Sequence, residues 1–185
     1  MGTQGGWKTL ASRYIVQSPY LRLRSDSIEL PGGYRIEEYY VRESRGFAII
    51  FALTPEENVV LVRQYKHGIG QTMLELPAGM IEPDEEPAVC AARELAEETG
   101  YVGEAPEPQH AATFVSDATG STSRFHLYLV RDARPLLAQR LDAAEDISVE
   151  LATLPELRRF VQDGTIDAGY SVAAVYFMLD RLGLL

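Results

Sequence analysis

The chain has 185 residues, 46% hydrophobic and 24% charged, enough for one cooperative core and too few for two full domains with a linker. Its 17 Lys and Arg against 27 Asp and Glu leave a formal net charge of -10, which disfavours a broad footprint on extended nucleic acid or an anionic membrane. The excess is local: from Glu75 to Glu98, eight acidic residues accompany one base, Arg93, so 24 residues hold seven of the ten surplus negative charges. One cysteine, Cys90, excludes an internal disulfide and a multi-thiolate zinc site; it suits a reducing compartment and is expected in the core. The opening MGTQGGW has no apolar stretch behind a basic head, and no run approaches the roughly 18 apolar residues of a membrane span. A soluble cytoplasmic protein is the expectation.

In chain order, residues 14–16, 21–23 and 34–41 are rich in aromatic and β-branched side chains and predict strands, with Pro31-Gly32-Gly33 as a turn. Residues 46–53 and 58–64 are the strongest strand candidates, joined by the polar Thr54-Pro55-Glu56-Glu57. A short extended segment at 72–76 precedes a loop at 77–84. Residues 86–99 then predict a helix rich in Ala, Glu and Leu that Gly100 can end. Strands follow at 109–115 and 125–130 around a polar loop, 116–123, that looks placed to touch a ligand. An acidic stretch at 141–146, a short strand at 148–151 and two helices at 154–162 and 171–182 complete the chain.

On the 86–99 helix, Glu94 and Glu98 are four residues apart and Glu97 lies three beyond Glu94, so their carboxylates can approach from one side. Like charges at that spacing repel unless solvent surrounds them or a hard cation such as Mg²⁺ sits between them and an anionic substrate. Both readings are open on spacing alone. Arg93 can pair with Glu97 or hold a more distant loop glutamate, and Pro87 suits a first turn, where its missing N–H costs nothing.

From Gly79 the chain reads five residues, Glu85, seven residues, Arg93-Glu94-Leu95, one residue, Glu97-Glu98, one residue, Gly100 and Tyr101. This resembles the signature box of the Nudix hydrolases, which cleave nucleoside diphosphates linked to another moiety; Tyr101 stands where the family usually has an aliphatic residue. The resemblance implies an α/β protein, a Nudix-like α/β/α sandwich with a mixed sheet. It implies two or three Mg²⁺ or Mn²⁺ ions per active site, bridging carboxylates to a pyrophosphate. Glu94 and Glu98 would be the central ligands, Glu97 would support them directly or through water, and Ala78 would offer its backbone carbonyl. Glu85 and Arg93 would organise the loop, so that losing Glu85 could lower activity by misplacing the metals.

Outside the box, Val62-Arg63-Gln64-Tyr65-Lys66 and Glu75-Leu76-Pro77-Ala78-Gly79 resemble the branch that hydrolyses ADP-ribose and other nucleotide sugars. That branch implies a small antiparallel N-terminal sheet over residues 1–45, packing across a homodimer, ahead of a catalytic domain at 46–185. Arg42, Arg63, Lys66, Glu75 and Tyr20 are then the candidate substrate contacts, with Tyr39 and Tyr40 as further stacking candidates that sheet or dimer packing explains equally well. Lys66 replaces a frequent arginine, keeping the charge and losing the planar fork. The loop from Ser116 to Arg124 departs from the branch's Ser-Pro-Gly pattern, which opens the choice to GDP-mannose or an ADP-hexose. In this branch the base comes from a loop after the box. Ala144-Glu145-Asp146-Ile147 resembles that loop, which makes Glu145 the first candidate and Asp146 the second. His67, His110 and His126 form no short-spaced cluster, and no zinc site is expected. A non-catalytic nucleotide-sugar-binding module is the alternative from another class.

Overall fold

A computed structural model describes residues 6–184; residues 1–5, the start of the leader reading above, lie outside the described residues. The described residues divide into two compact units, one of residues up to 46 with 115–124 and the other of residues 47–114 with those from 125 onward.

In the first unit, β1 (Lys8–Gln17), β2 (Arg22–Glu29) and β3 (Arg35–Glu43) form an antiparallel sheet in that order, the small N-terminal sheet expected from the sequence. The turn into β3 closes when Gly33 adopts φ 81°, a left-handed conformation that glycine takes without steric cost. Asp26 is buried in the sheet, accepting from the Ser12 hydroxyl at 2.6 Å and from Arg24 Nε at 2.9 Å, so its burial leaves no unpaired charge. Residues 115–124 run beside the end of β3. There the Arg42 N–H donates to Gly120 O at 2.8 Å and the Thr122 N–H to Arg42 O at 3.0 Å.

The second unit contains β4 (Phe47–Ala52), β5 (Asn58–Lys66), β6 (Gln71–Glu75) and β7 (Ala78–Met80), then α1 (Pro87–Thr99) and β8 (Tyr101–Val102). After β9 (Gln109–Val115) and β10 (Arg124–Val130) come β11 (Arg134–Pro135), β12 (Ile147–Thr153), α2 (Leu154–Gln162) and α3 (Gly169–Arg181). One sheet, ordered β7-β4-β10-β9, is mixed, with β4 parallel to β10 and antiparallel to β7. A second, β12-β5-β6, is antiparallel, and β8 pairs with β11.

Side-chain alternation makes the layers. Ile49 and Phe51 of β4, with Val59 and Leu61 of β5, pack with Leu157 of α2 and Val175 and Met178 of α3. Ala48, Ile50 and Ala52, with Val60, pack instead with Cys90, Ala91 and Leu95 of α1. Helices on opposite sides of the strands give the expected α/β/α sandwich. Pro87 occupies the first turn of α1, and Gly100 ends it at φ 74°, its N–H donating to Ala96 O. Cys90 is buried, and that burial pushes its thiol up to about 12, as suits a core residue. Where a loop was expected at 77–84, Ala78–Met80 instead pairs with Phe47–Ile49 of β4. Among the described residues no helix is long and apolar enough to cross a membrane.

Candidate active site

The loop-helix segment is organised by Arg93. Its Nε and Nη2 grip Glu85 at 2.7 and 2.9 Å, Nη1 reaches Glu94 at 2.8 Å and Glu97 at 3.0 Å, and Nη2 meets the Met80 carbonyl at 3.3 Å. The two pairings open to Arg93 in the sequence are thus made together. The guanidinium beside Glu85 holds that carboxyl down at about 2, and Glu85 also accepts from the Glu82 N–H at 2.9 Å, closing the loop.

Glu98, 5% exposed, accepts from the Ala78 N–H at 3.1 Å. Burial, reinforced by neighbouring Glu94, pushes its carboxyl up to about 8. Burial also raises Glu94, whereas Arg140 and Arg93 lower Glu97. Gly79 is required by close approach: a Cβ there would overlap the Glu94 carboxylate.

These groups line a cavity of about 390 Å³ that brings together Ala78, Glu94, Glu97, Glu98, Arg93, Lys66 and Glu145. Glu145 comes from the segment between β11 and β12, where its Oε2 accepts from the Asp142 N–H at 2.9 Å. Gln139 pins that segment, its amide donating to Glu98 O at 2.6 Å and to Ile147 O at 3.1 Å. The Arg140 N–H adds a bond to Glu97 O at 2.9 Å, and its guanidinium pairs with the Glu97 carboxylate.

The donor set suits a hard divalent cation: the α1 carboxylates Glu94, Glu97 and Glu98 and a carbonyl-bearing strand line one cleft, and its most buried carboxyl has an unfavourable charge that a cation would relieve. Among the described residues, however, no three Asp, Glu, His or Cys side chains are gathered closely enough to hold an ion. The Arg93 guanidinium lies between Glu94 and Glu97 and supplies the positive charge there, so ligation requires those two side chains to turn from it.

The other sequence candidates lie as follows. Glu75, buried on β6, lines a second cavity with Lys66. Arg63 is on the opposite face of β5 from Lys66 by strand alternation and pairs with Glu150 of β12 at 2.5 Å. Arg42 and Tyr20 belong to the first unit, Arg42 in the backbone pairing already described and Tyr20 98% exposed at the β1–β2 turn. Tyr39 donates to Thr119 O at 2.7 Å and Tyr40 to Glu38 at 2.7 Å. Asp146 is not among the residues lining either cavity. The Thr113 hydroxyl lies between His110 Nε2 at 2.9 Å and His126 Nδ1 at 3.1 Å, away from the acidic set. Sequence reasoning missed Tyr170, whose hydroxyl donates to Glu75, and Gln139; neither belongs to a motif, and both act across long separations in the chain.

Comparison with known proteins places these elements in context. The NUDIX domain matches residues 43–171, and the nucleoside diphosphate sugar hydrolase N-terminal domain matches residues 7–41. The chain is 31% identical over 172 residues to a methanol dehydrogenase activator of Bacillus methanolicus, covering 92% of this chain and 91% of that protein. It is 30% identical over 174 residues to an ADP-ribose pyrophosphatase of Bacillus subtilis, covering 93% and 92%. A crystal structure of an ADP compounds hydrolase superposes with a TM-score of 0.84 over the whole of both chains at 19% identity, a likeness of fold.

Proposed function

Because the chain belongs to the Nudix hydrolase family, we propose that it hydrolyses the pyrophosphate of ADP-ribose or a related nucleotide sugar to a nucleoside monophosphate and a sugar phosphate. The observation that carries this reading is the convergence of Glu94, Glu97, Glu98, Lys66 and Glu145 on one cleft, a constellation with donors for cations, a cation for phosphate and a loop carboxylate. The match of residues 7–41 to the nucleoside diphosphate sugar hydrolase N-terminal domain supports the substrate class, as does the name of the Bacillus subtilis relative.

In this reading Glu94 and Glu98 would hold Mg²⁺ or Mn²⁺, with Glu97, once turned from Arg93, and the Ala78 carbonyl as further donors. Ions held there would supply positive charge to the pyrophosphate oxygens and would acidify the attacking water. Lys66 orients a phosphate oxygen at the cleft. Glu145 takes the proton of the water as its oxygen bonds to phosphorus; the bridging P–O bond breaks and the second phosphate departs with its electron pair. Arg93 and Glu85 keep α1 and its loop in register, and Gln139 holds the Glu145 segment against the helix end. The N-terminal sheet assembles two chains into a homodimer, supported by β1, which is exposed along all ten residues and carries Leu10, Tyr14, Ile15 and Val16.

Product analysis tests the reading. ADP-ribose, ADP-glucose, GDP-mannose, dinucleotides and 8-oxo nucleotides are each incubated with Mg²⁺, with Mn²⁺ and with chelator. Metal-dependent release of a nucleoside monophosphate from a nucleotide sugar is expected, and inactivity across the sugars would overturn it.

A further inference from the structure

The acidic cleft shares Lys66, Gly79 and Glu98 with a second cavity of about 220 Å³ whose lining includes Phe47, Glu75 and Tyr170. Glu75 is only 2% exposed, and a buried carboxylate is retained only where its oxygens are satisfied. Both are: the Tyr170 hydroxyl donates to Oε1, and Lys66 Nζ lies 3.2 Å from Oε2. Tyr170 is itself held firmly. It stands in the first turn of α3, its ring packs edge-on against Phe47 at 5.4 Å, and the hydroxyl of adjacent Ser171 accepts from the Leu76 N–H at 3.3 Å. Consecutive residues of α3 therefore clamp consecutive residues, Glu75 and Leu76, at the end of β6. Burial, with the bond to Glu75, raises the Tyr170 phenol, which keeps it a donor.

The recipient of this arrangement is Lys66. A lysine on a four-carbon stem has no preferred direction of its own, unlike the planar fork of an arginine. Here the ammonium has two partners, Gln64 Oε1 at 2.6 Å and Glu75 Oε2, which leaves its third donor for an anion in the cleft that Lys66 lines. Resting on the reading of that cleft as a pyrophosphate site, we propose that Tyr170 is a positioning residue, which through Glu75 fixes the Lys66 ammonium where it meets a phosphate oxygen. The contact spans 95 positions of the chain, so the last helix of the sandwich sets the aim of a cation at the end of β5.

The test is a double-mutant cycle read by calorimetry of inorganic pyrophosphate binding in Mg²⁺ and by steady-state kinetics on the preferred nucleotide sugar. Tyr170→Phe is expected to weaken pyrophosphate binding and raise KM by about threefold to tenfold, the worth of one hydrogen bond, with a smaller effect on kcat. In a Lys66→Ala background the same change is expected to alter either quantity by less than about twofold, because the group that Tyr170 aims has gone. Equal effects in both backgrounds, a loss confined to kcat, or failure of the unmodified protein to bind pyrophosphate would overturn the proposal. If Tyr170→Phe does not fold, Tyr170→His, which keeps a ring and a donor, is carried through the same cycle: binding and KM nearer the unmodified protein than those of Tyr170→Ala support the proposal, and equal losses in the two variants overturn it. Calorimetry needs no turnover. Inactivity on every nucleotide sugar with coupled pyrophosphate binding would overturn the reaction alone, and turnover with independent effects would overturn the role of Tyr170 alone.

Discussion

The Glu94 carboxylate occupies the space that a side chain on Gly79 would fill. A backbone strand and a helical carboxylate approach this closely only because β7 pairs with β4 while α1 packs across the same strand. Gly79→Ala is therefore expected to keep the fold, which circular dichroism would verify, but to turn Glu94 aside. Misplacement of a reacting group by about 1 Å costs about 10²-fold, so turnover should fall by that order and Mg²⁺ should bind more weakly by calorimetry. Unchanged turnover would show that Glu94 acts from some other position.

Glu145 gives a cleaner substitution. Its Oε2 accepts from the Asp142 N–H, and glutamine retains an acceptor for that bond while removing the base. Glu145→Gln should lower kcat by about 10²-fold or more with little change in substrate affinity, the size expected of an acid-base residue. Asp146→Asn should have a much smaller effect, and the reverse order would transfer the role to Asp146.

Acid stability should report on the pair of Glu85 and Arg93. Glu85 sits at about 2 against an ordinary 4.5, so its contribution is complete above about pH 4.5 and disappears as the pH falls towards 2. Urea midpoints of metal-free protein and of Glu85→Gln should differ most near pH 6 and converge as the buffer approaches pH 2.5, on the order of the window set by the two values. A constant difference across that range would assign the effect to packing.

Assembly is open to direct measurement. Light scattering should give a mass near twice the 20.5 kDa of one chain. Charged substitutions at Leu10 and Ile15, both exposed on β1, should shift the mass to that of a monomer at micromolar concentration. A dimer unaffected by both would place the interface elsewhere.

What the sequence made legible was local. The box segment carries its own punctuation, Pro87 to begin α1 and Gly100 to end it, and the β-branched runs of β4 and β5 declare themselves by composition. Ala78–Met80 did not, because Ala-Gly-Met has neither alternation nor β propensity and is a strand only through pairing with β4. The two-residue ladder of β8 and β11 is likewise tertiary. Side-chain partners were the least visible: Arg63 meets Glu150 across 87 positions and Tyr170 meets Glu75 across 95, and no short-range pattern encodes either. The charges of Glu94, Glu97 and Glu98 were readable as a cluster. Spacing offered Arg93 either Glu97 or a loop glutamate; that it takes Glu85, Glu94 and Glu97 together is visible only in the fold.

The alternation along β4 has a consequence for how the protein can change. Its odd-numbered side chains belong to one hydrophobic interior and its even-numbered ones to the other, so the strand works like a reading frame. A one-residue insertion would send Phe51 against α1 and leave alanines facing α2 and α3, and it would also slide Ala78 and Gly79 past their partners Ile49 and Ala48. Substitution of side chains is the tolerated currency of variation here, while changes of length must fall in the connections. Drift in substrate preference is thereby steered towards the loops and away from the strand that sets the distance between Gly79 and Glu94.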